Sequence, residues 1–203
     1  AVIPVRGKIL NCLKASYDKI FKSEIITNLI KVLGCGVEVK TKANKQISTF
    51  NLDNLRWNKI VICTDADEDG FQIRTLLLTL FYRLLPTLLK EGKVFIAETP
   101  LYEITYRDKS YFAFDETEKA TILKKLEGKK ILIQRSKGLG ENTPAMMSET
   151  TMHPATRRLV AVTPTDAAAT ARMFDTLLGD DLPARKAFIA LHGKEYVKDA
   201  DLE

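Results

Sequence analysis

The residues best equipped for chemistry stand in one short run, Asp65-Ala66-Asp67-Glu68-Asp69-Gly70, which sets four carboxylates within five positions. Crowding of like charges is costly unless a cation offsets them or some of the groups are neutralised. Hard carboxylate oxygens suit magnesium, which accepts a few of them and keeps waters that phosphate oxygens can replace. Asp65, Asp67 and Asp69 are therefore candidate ligands for Mg2+, and a phosphate-bearing substrate is what such an ion would serve.

Competing readings exist. D-x-D-x-D-G opens an EF-hand loop, but the twelfth position is Leu76, where a bidentate Glu is required, and the preceding segment is strand-like. That reading fails. A phosphatase with an Asp nucleophile also places D-x-D after an apolar strand, although no second phosphatase motif accompanies it. A solvated acidic turn is the third reading, although a turn needs only one or two acids. The last two stay open on the residues alone. Cys12, Cys35 and Cys63 lack C-x-x-C spacing, and only His153 and His192 could add imidazole, so disulfide frameworks and zinc sites are poorly supplied.

The elements that must hold the acidic run can be read around it. Residues 59–64 (KIVICT) form a β-branched run read as a buried strand. A mostly apolar helix follows to about Lys90, with Pro86 expected to kink or tighten its last turn, and residues 93–98 (KVFIAE) read as the next strand. Strand, loop, helix and strand over about forty residues suit one βαβ unit of a parallel sheet. Loops at the carboxyl ends of such strands are where open α/β sheets bind ligands. Upstream, residues 23–33 have helical spacing, with Ser23 as cap and Gly34 as stop. Downstream, YFAF pairs as a hairpin with LYEITY, 115–127 is a helix with acids first and lysines last, and ILIQ at 131–134 is a strand. Helices are predicted near 165–178 and 184–191.

Composition adds a bias. The net charge is +5, yet residues 1–60 alone carry eleven Lys/Arg against four acids, an asymmetry that suits a polyanion-facing surface. The longest apolar stretch, Phe71 to Leu89, is interrupted by Arg74, Arg83 and Pro86 and is too broken for a membrane span. No signal-peptide pattern is visible at the start. A soluble, cytoplasmic protein without membrane contact is expected.

Several segments resemble one family in its own order. IVICTDADEDGFQIRTLLLTLFYRLLP resembles the heart of the Toprim domain of type IIA topoisomerase B subunits, the group of DNA gyrase and topoisomerase IV. PVRGKILN at 4–11, LGCG at 33–36, AETPLY at 97–102, KGLGE at 137–141, ETTMHPATRRL at 149–159 and LLGDDLPARKAFI at 177–189 continue the likeness. The resemblance implies an α/β fold: a Toprim-type, Rossmann-like parallel sheet lacking its first strand over 1–110, then a B-subunit carboxyl-terminal region over 111–203 with the KGLGE loop and a mainly helical tail.

It also implies a function. A tyrosine of a partner A subunit would cut double-stranded DNA while Mg2+ on Asp65 and Asp67, with Asp69 as a second or water-mediated ligand, stabilises charge on the phosphate. Lys8 and Asn11 match the family's DNA-contacting pair, and Arg6 lies where the family lines its cleavage pocket. Lys137 and Arg185 are further DNA-contact candidates. An A2B2 heterotetramer, gyrase more than topoisomerase IV, is expected. The family's E-G-D-S motif, whose Glu is a ligand and general acid–base, and its ATP-binding region are not found in this sequence, so no complete catalytic set is present. The six tyrosines read as packing residues, and the chain alone is expected to be inactive. A primase or nuclease with a similar metal site, or a module that only docks a partner through residues 142–203, are the alternatives.

Overall fold

In a computed structural model, residues 1–42, 47–135 and 138–196 are described. Helices α1 (Tyr17–Lys22) and α2 (Glu24–Leu33) meet at Ser23. The predicted Ser23 cap occupies the N-cap position, yet its side chain makes no capping bond. Ile26, Ile30 and Leu33 form the buried stripe of α2, as an amphipathic period requires. Gly34 ends the helix at φ 82, the left-handed conformation glycine accepts without strain. Helix α1 has no predicted counterpart, since six residues are too few to display a period.

Strand β1 (Ile60–Ile62) leads through the acidic run into α3 (Glu68–Leu84), and α4 (Pro86–Lys90) precedes β2 (Val94–Ala97). The single helix kinked at Pro86 is in fact two helices. A residue before proline is disfavoured in the helical region, and Leu85 leaves it at φ −145 and ψ 44. Pro86 then opens α4 at a position where its missing N–H is not needed. The first sheet has the order β1-β2-β6, with β6 (Leu159–Ala161) a three-residue strand that the sequence reading lacks.

The predicted hairpin is present as β3 (Tyr102–Tyr106) and β4 (Lys109–Ala113), antiparallel with Tyr106 opposite Lys109. Strand β5 (Leu132–Arg135) pairs antiparallel with the other edge of β3, giving the order β4-β3-β5. Between them runs α5 (Glu116–Lys125), whose cap Asp115 accepts the Glu118 N–H at 2.7 Å. Glu118 in turn accepts the Phe114 N–H at 3.1 Å, a reciprocal arrangement akin to a capping box. The tail holds the short α6 (Pro144–Met147), a π-helical turn at Ser148–Met152, α7 (Ala167–Leu178) and α8 (Leu182–His192). Asp166 and Asp181 cap the last two helices, each accepting an N–H at 2.9 Å.

The chain divides into two compact units, one formed by Ala1–Ile60, Gln72–Phe95 and Ala161–Glu203, the other by Val61–Phe71 and Ile96–Val160. In the first, Ile20, Ile26, Leu80, Leu84, Leu85 and Leu88 are fully buried. In the second, Ile104 and Ala113 are fully buried and Ile62, Leu126 and Met146 nearly so. Among the described residues no helix is long and apolar enough to cross a membrane.

Candidate functional site

The acidic run is not one loop. Only Asp65, Ala66 and Asp67 precede α3, while Glu68 and Asp69 lie in its first turn. Asp67 caps the helix by accepting the Gly70 N–H on Oδ1 at 2.7 Å. Carboxylates at this end also face the positive pole of the helix dipole, so the backbone itself offsets part of the crowding. Asp65 is held from far along the chain: its Oδ1 accepts the Leu139 N–H at 2.7 Å. Leu139 belongs to KGLGE and opens a 3-10 turn, Leu139–Glu141. Thus two motifs 74 residues apart share one hydrogen bond.

Glycine makes this turn possible. A Cβ on the buried Gly70 would sit 2.1 Å from the Asp65 carbonyl oxygen and 2.8 Å from its carbon. No side chain fits there without displacing the backbone that carries the candidate ligand. At Gly138 the contact is milder, since a Cβ would lie 3.5 Å from Asp65 Oδ2, an ordinary van der Waals distance.

Asp65 and Asp67 are half-buried, Glu68 and Asp69 exposed. Among the described residues, no three His, Cys, Asp or Glu side chains come together as a group able to hold a metal ion. The turn is therefore not a closed cage. Two carboxylates, each fixed through one oxygen by a main-chain N–H, nevertheless suit magnesium, which uses one or two carboxylates and completes its shell with waters and phosphate oxygens. The donor set fits the ion.

The basic candidates have different fates. Arg6 and Lys8 are exposed on an N-terminal segment without helix or strand. Asn11 has both polar ends engaged: Oδ1 accepts the Leu13 N–H at 2.9 Å, and Nδ2 donates to the Leu178 carbonyl at 3.1 Å. Arg185 donates from Nε to Thr176 O at 3.2 Å and from Nη2 to Gly179 O at 2.5 Å. It satisfies carbonyls at the end of α7 that the helix cannot pair itself. Lys137 lies outside the described residues.

One organising residue escaped the sequence reading. Arg83 Nη1 donates to the carbonyls of Cys12, Leu13 (2.7 Å) and Ala15 (3.0 Å), and its guanidinium lies over the Tyr17 ring at 4.5 Å. Its signal was an arginine breaking an apolar helix near its end. Cys12, beside it, is buried, and burial pushes its thiol up to about 11 against the lowering pull of Arg83. This holds it as a thiol rather than a nucleophilic thiolate. Of the tyrosines, Tyr82 stacks on Phe174 at 4.3 Å and Tyr102 is buried. Tyr196 is exposed and so departs from the packing role predicted for it.

Comparison with known proteins is consistent along the chain. Residues 1–99 match the Toprim domain and residues 128–190 the DNA gyrase B subunit, carboxyl terminus. The DNA gyrase B subunit of Thermotoga maritima is 44% identical over 202 residues, all of this chain and 30% of that protein. That of Archaeoglobus fulgidus is 40% identical over the same coverage. The DNA topoisomerase 4 B subunit of Mycoplasma capricolum is 39% identical over 203 residues, again 30% of its length. The chain thus spans about a third of the relatives it matches.

Proposed function

The chain belongs to the B-subunit family of type IIA DNA topoisomerases, and from that premise we propose that it contributes the metal-binding turn to double-strand DNA cleavage and religation. The observation that carries this reading is the pair Asp65 and Asp67, each fixed through one carboxylate oxygen by a main-chain N–H on one turn. Asp65 and Asp67 hold Mg2+, and Asp69 serves it as a second or water-mediated ligand. Bound there, the ion supplies charge stabilisation for the scissile phosphate and the leaving oxygen. The chain's own part is to fix the carboxylates, through Gly70 and Leu139, before DNA arrives.

Arg6, Lys8 and Lys137 contact the DNA backbone in this proposal. Asn11 and Arg185 act one step back, holding the N-terminal turn and the α7–α8 junction. The tyrosine nucleophile comes from a partner A subunit in an A2B2 enzyme, and ATP drives the whole enzyme's topology change in the cytoplasm. Within the family gyrase is favoured over topoisomerase IV, since the gyrase relatives reach 44% identity and the topoisomerase IV relative 39%.

Calorimetric titration with Mg2+ tests the turn. Asp65→Asn and Asp67→Asn are each expected to remove the binding heat; a double variant that titrates like the wild type overturns the assignment. In the full-length protein paired with its A subunit, Asp65→Asn is expected to slow DNA supercoiling by about a hundredfold or more.

A further inference from the structure

We propose a second nucleic-acid contact, remote in sequence from the acidic turn, on the tip of the β3–β4 hairpin and the α5–β5 loop. The segments 106–109 and 124–130 contain six Lys/Arg (Arg107, Lys109, Lys124, Lys125, Lys129, Lys130) against two acids, Asp108 and Glu127. All six cations are exposed. Three are ordered against aromatic rings. Lys129 Nζ lies 5.0 Å and the Arg107 guanidinium 5.1 Å from the centroid of Tyr106, and Lys109 Nζ lies 5.2 Å from that of Tyr111. Two other cations of the same unit are matched to carboxylates: Lys119 to Glu116 at 3.1 Å and Arg158 to Glu118 at 2.6 Å. At the hairpin tip the rings hold the cations in place and leave their charge uncancelled.

The backbone points the same way. Arg107 has φ 55, and among the described residues it is the one non-glycine with positive φ. A hairpin tip of two residues ordinarily uses glycine or asparagine in that conformation. A long cation kept in a strained position is a departure that local folding does not account for. Its exposed charge shares the Tyr106 ring with that of Lys129.

Ordered, uncancelled cations beside tyrosines fit a nucleic-acid backbone. Because Tyr106 already carries two cations and Tyr111 one, the contact is to phosphate rather than by base stacking on the occupied faces, and it is therefore independent of sequence. The ligand is duplex DNA, a choice that rests on the nucleic-acid reading above; the site itself requires neither metal nor Asp65.

The test is fluorescence anisotropy with a short labelled duplex in EDTA across a salt series, comparing the chain with an Arg107→Gly, Lys109→Gln, Lys129→Gln variant. Glycine suits φ 55, so Arg107→Gly alone is expected to raise the melting temperature while weakening binding, which separates the contact from folding. The triple variant should bind about tenfold more weakly, with the slope of log affinity on log salt reduced by about 2 to 3. A folded triple variant with unchanged affinity and slope overturns this contact and leaves the acidic-turn reading intact. A wild-type chain that does not bind duplex overturns both the DNA-face reading and this contact. Equal losses toward duplex and toward polyglutamate reassign the patch to an acidic protein and overturn the nucleic-acid choice.

Discussion

The acidic turn and the α7–α8 junction both carry polar side chains that look, by type and motif, like parts of a phosphate site, the first through a metal ion and the second directly. Their hydrogen bonds separate them. At the turn, Asp65 and Asp67 each commit one oxygen to a backbone N–H, and a carboxylate has a second oxygen with further lone pairs. At the junction, Asn11 uses its carbonyl and its amide, and Arg185 donates from two nitrogens to Thr176 and Gly179. One region leaves carboxylate oxygens beyond those held by the backbone, whereas the other commits its polar groups to the protein's own carbonyls and amides. Residue type indicates what a side chain can do, and donor–acceptor accounting shows what it is already doing.

That contrast can be broken at four places. Gly70→Ala should have the largest effect, because a Cβ 2.1 Å from the Asp65 carbonyl cannot be accommodated in place. A loss of about 3 kcal/mol in urea denaturation is expected, although alanine normally favours a helix. Asn11→Ala should cost about 2 kcal/mol, from two half-buried hydrogen bonds; a variant as stable as wild type but deficient in DNA binding would move Asn11 back to a direct contact. Arg185→Lys, which keeps the charge but not the fork, should cost about 1 kcal/mol. If instead Arg185→Lys changed only the salt dependence of DNA binding, the junction would belong with the DNA face. Smallest in stability is Asp67→Asn, since asparagine caps as well as aspartate. The melting curve should barely move while the magnesium titration is lost, and a large shift in melting would show that the turn is purely structural.

Much of the fold was written in local pattern. The stripe Ile26, Ile30, Leu33, the hairpin LYEITY with YFAF, and the helix that begins after Asp115 with acids first and lysines last are decided by neighbours within a few residues, and local pattern exposes them. What escaped was either too short or too distant. Strand β6 has three residues and α1 six, so neither completes a diagnostic repeat. At Pro86 the right residue was noticed but its effect mistaken, because an apolar run hides whether a helix bends or stops. The site was legible as side chains: Asp65, Asp67 and Asp69 stand out by crowding. Its construction was not, because the Leu139 and Gly70 groups that fix it are main-chain N–H donors, which every non-proline residue carries. Nor could the sequence show that Arg83 gathers the carbonyls of Cys12, Leu13 and Ala15.

The Leu139–Asp65 bond also bears on how the molecule is made. Closing a loop of 74 residues costs about 4 kcal/mol in chain entropy. One hydrogen bond to a charged group returns about 1.5–3 kcal/mol, so the contact cannot form ahead of its surroundings. On a ribosome adding roughly 5–20 residues per second, Leu139 follows Asp65 by about 4–15 s. Throughout that interval the carboxylate has no partner from the later segment. The Asp67 cap is local and needs no later segment, but the hold on Asp65 is a late product of synthesis, completed only once the β3–β4–β5 sheet has been translated.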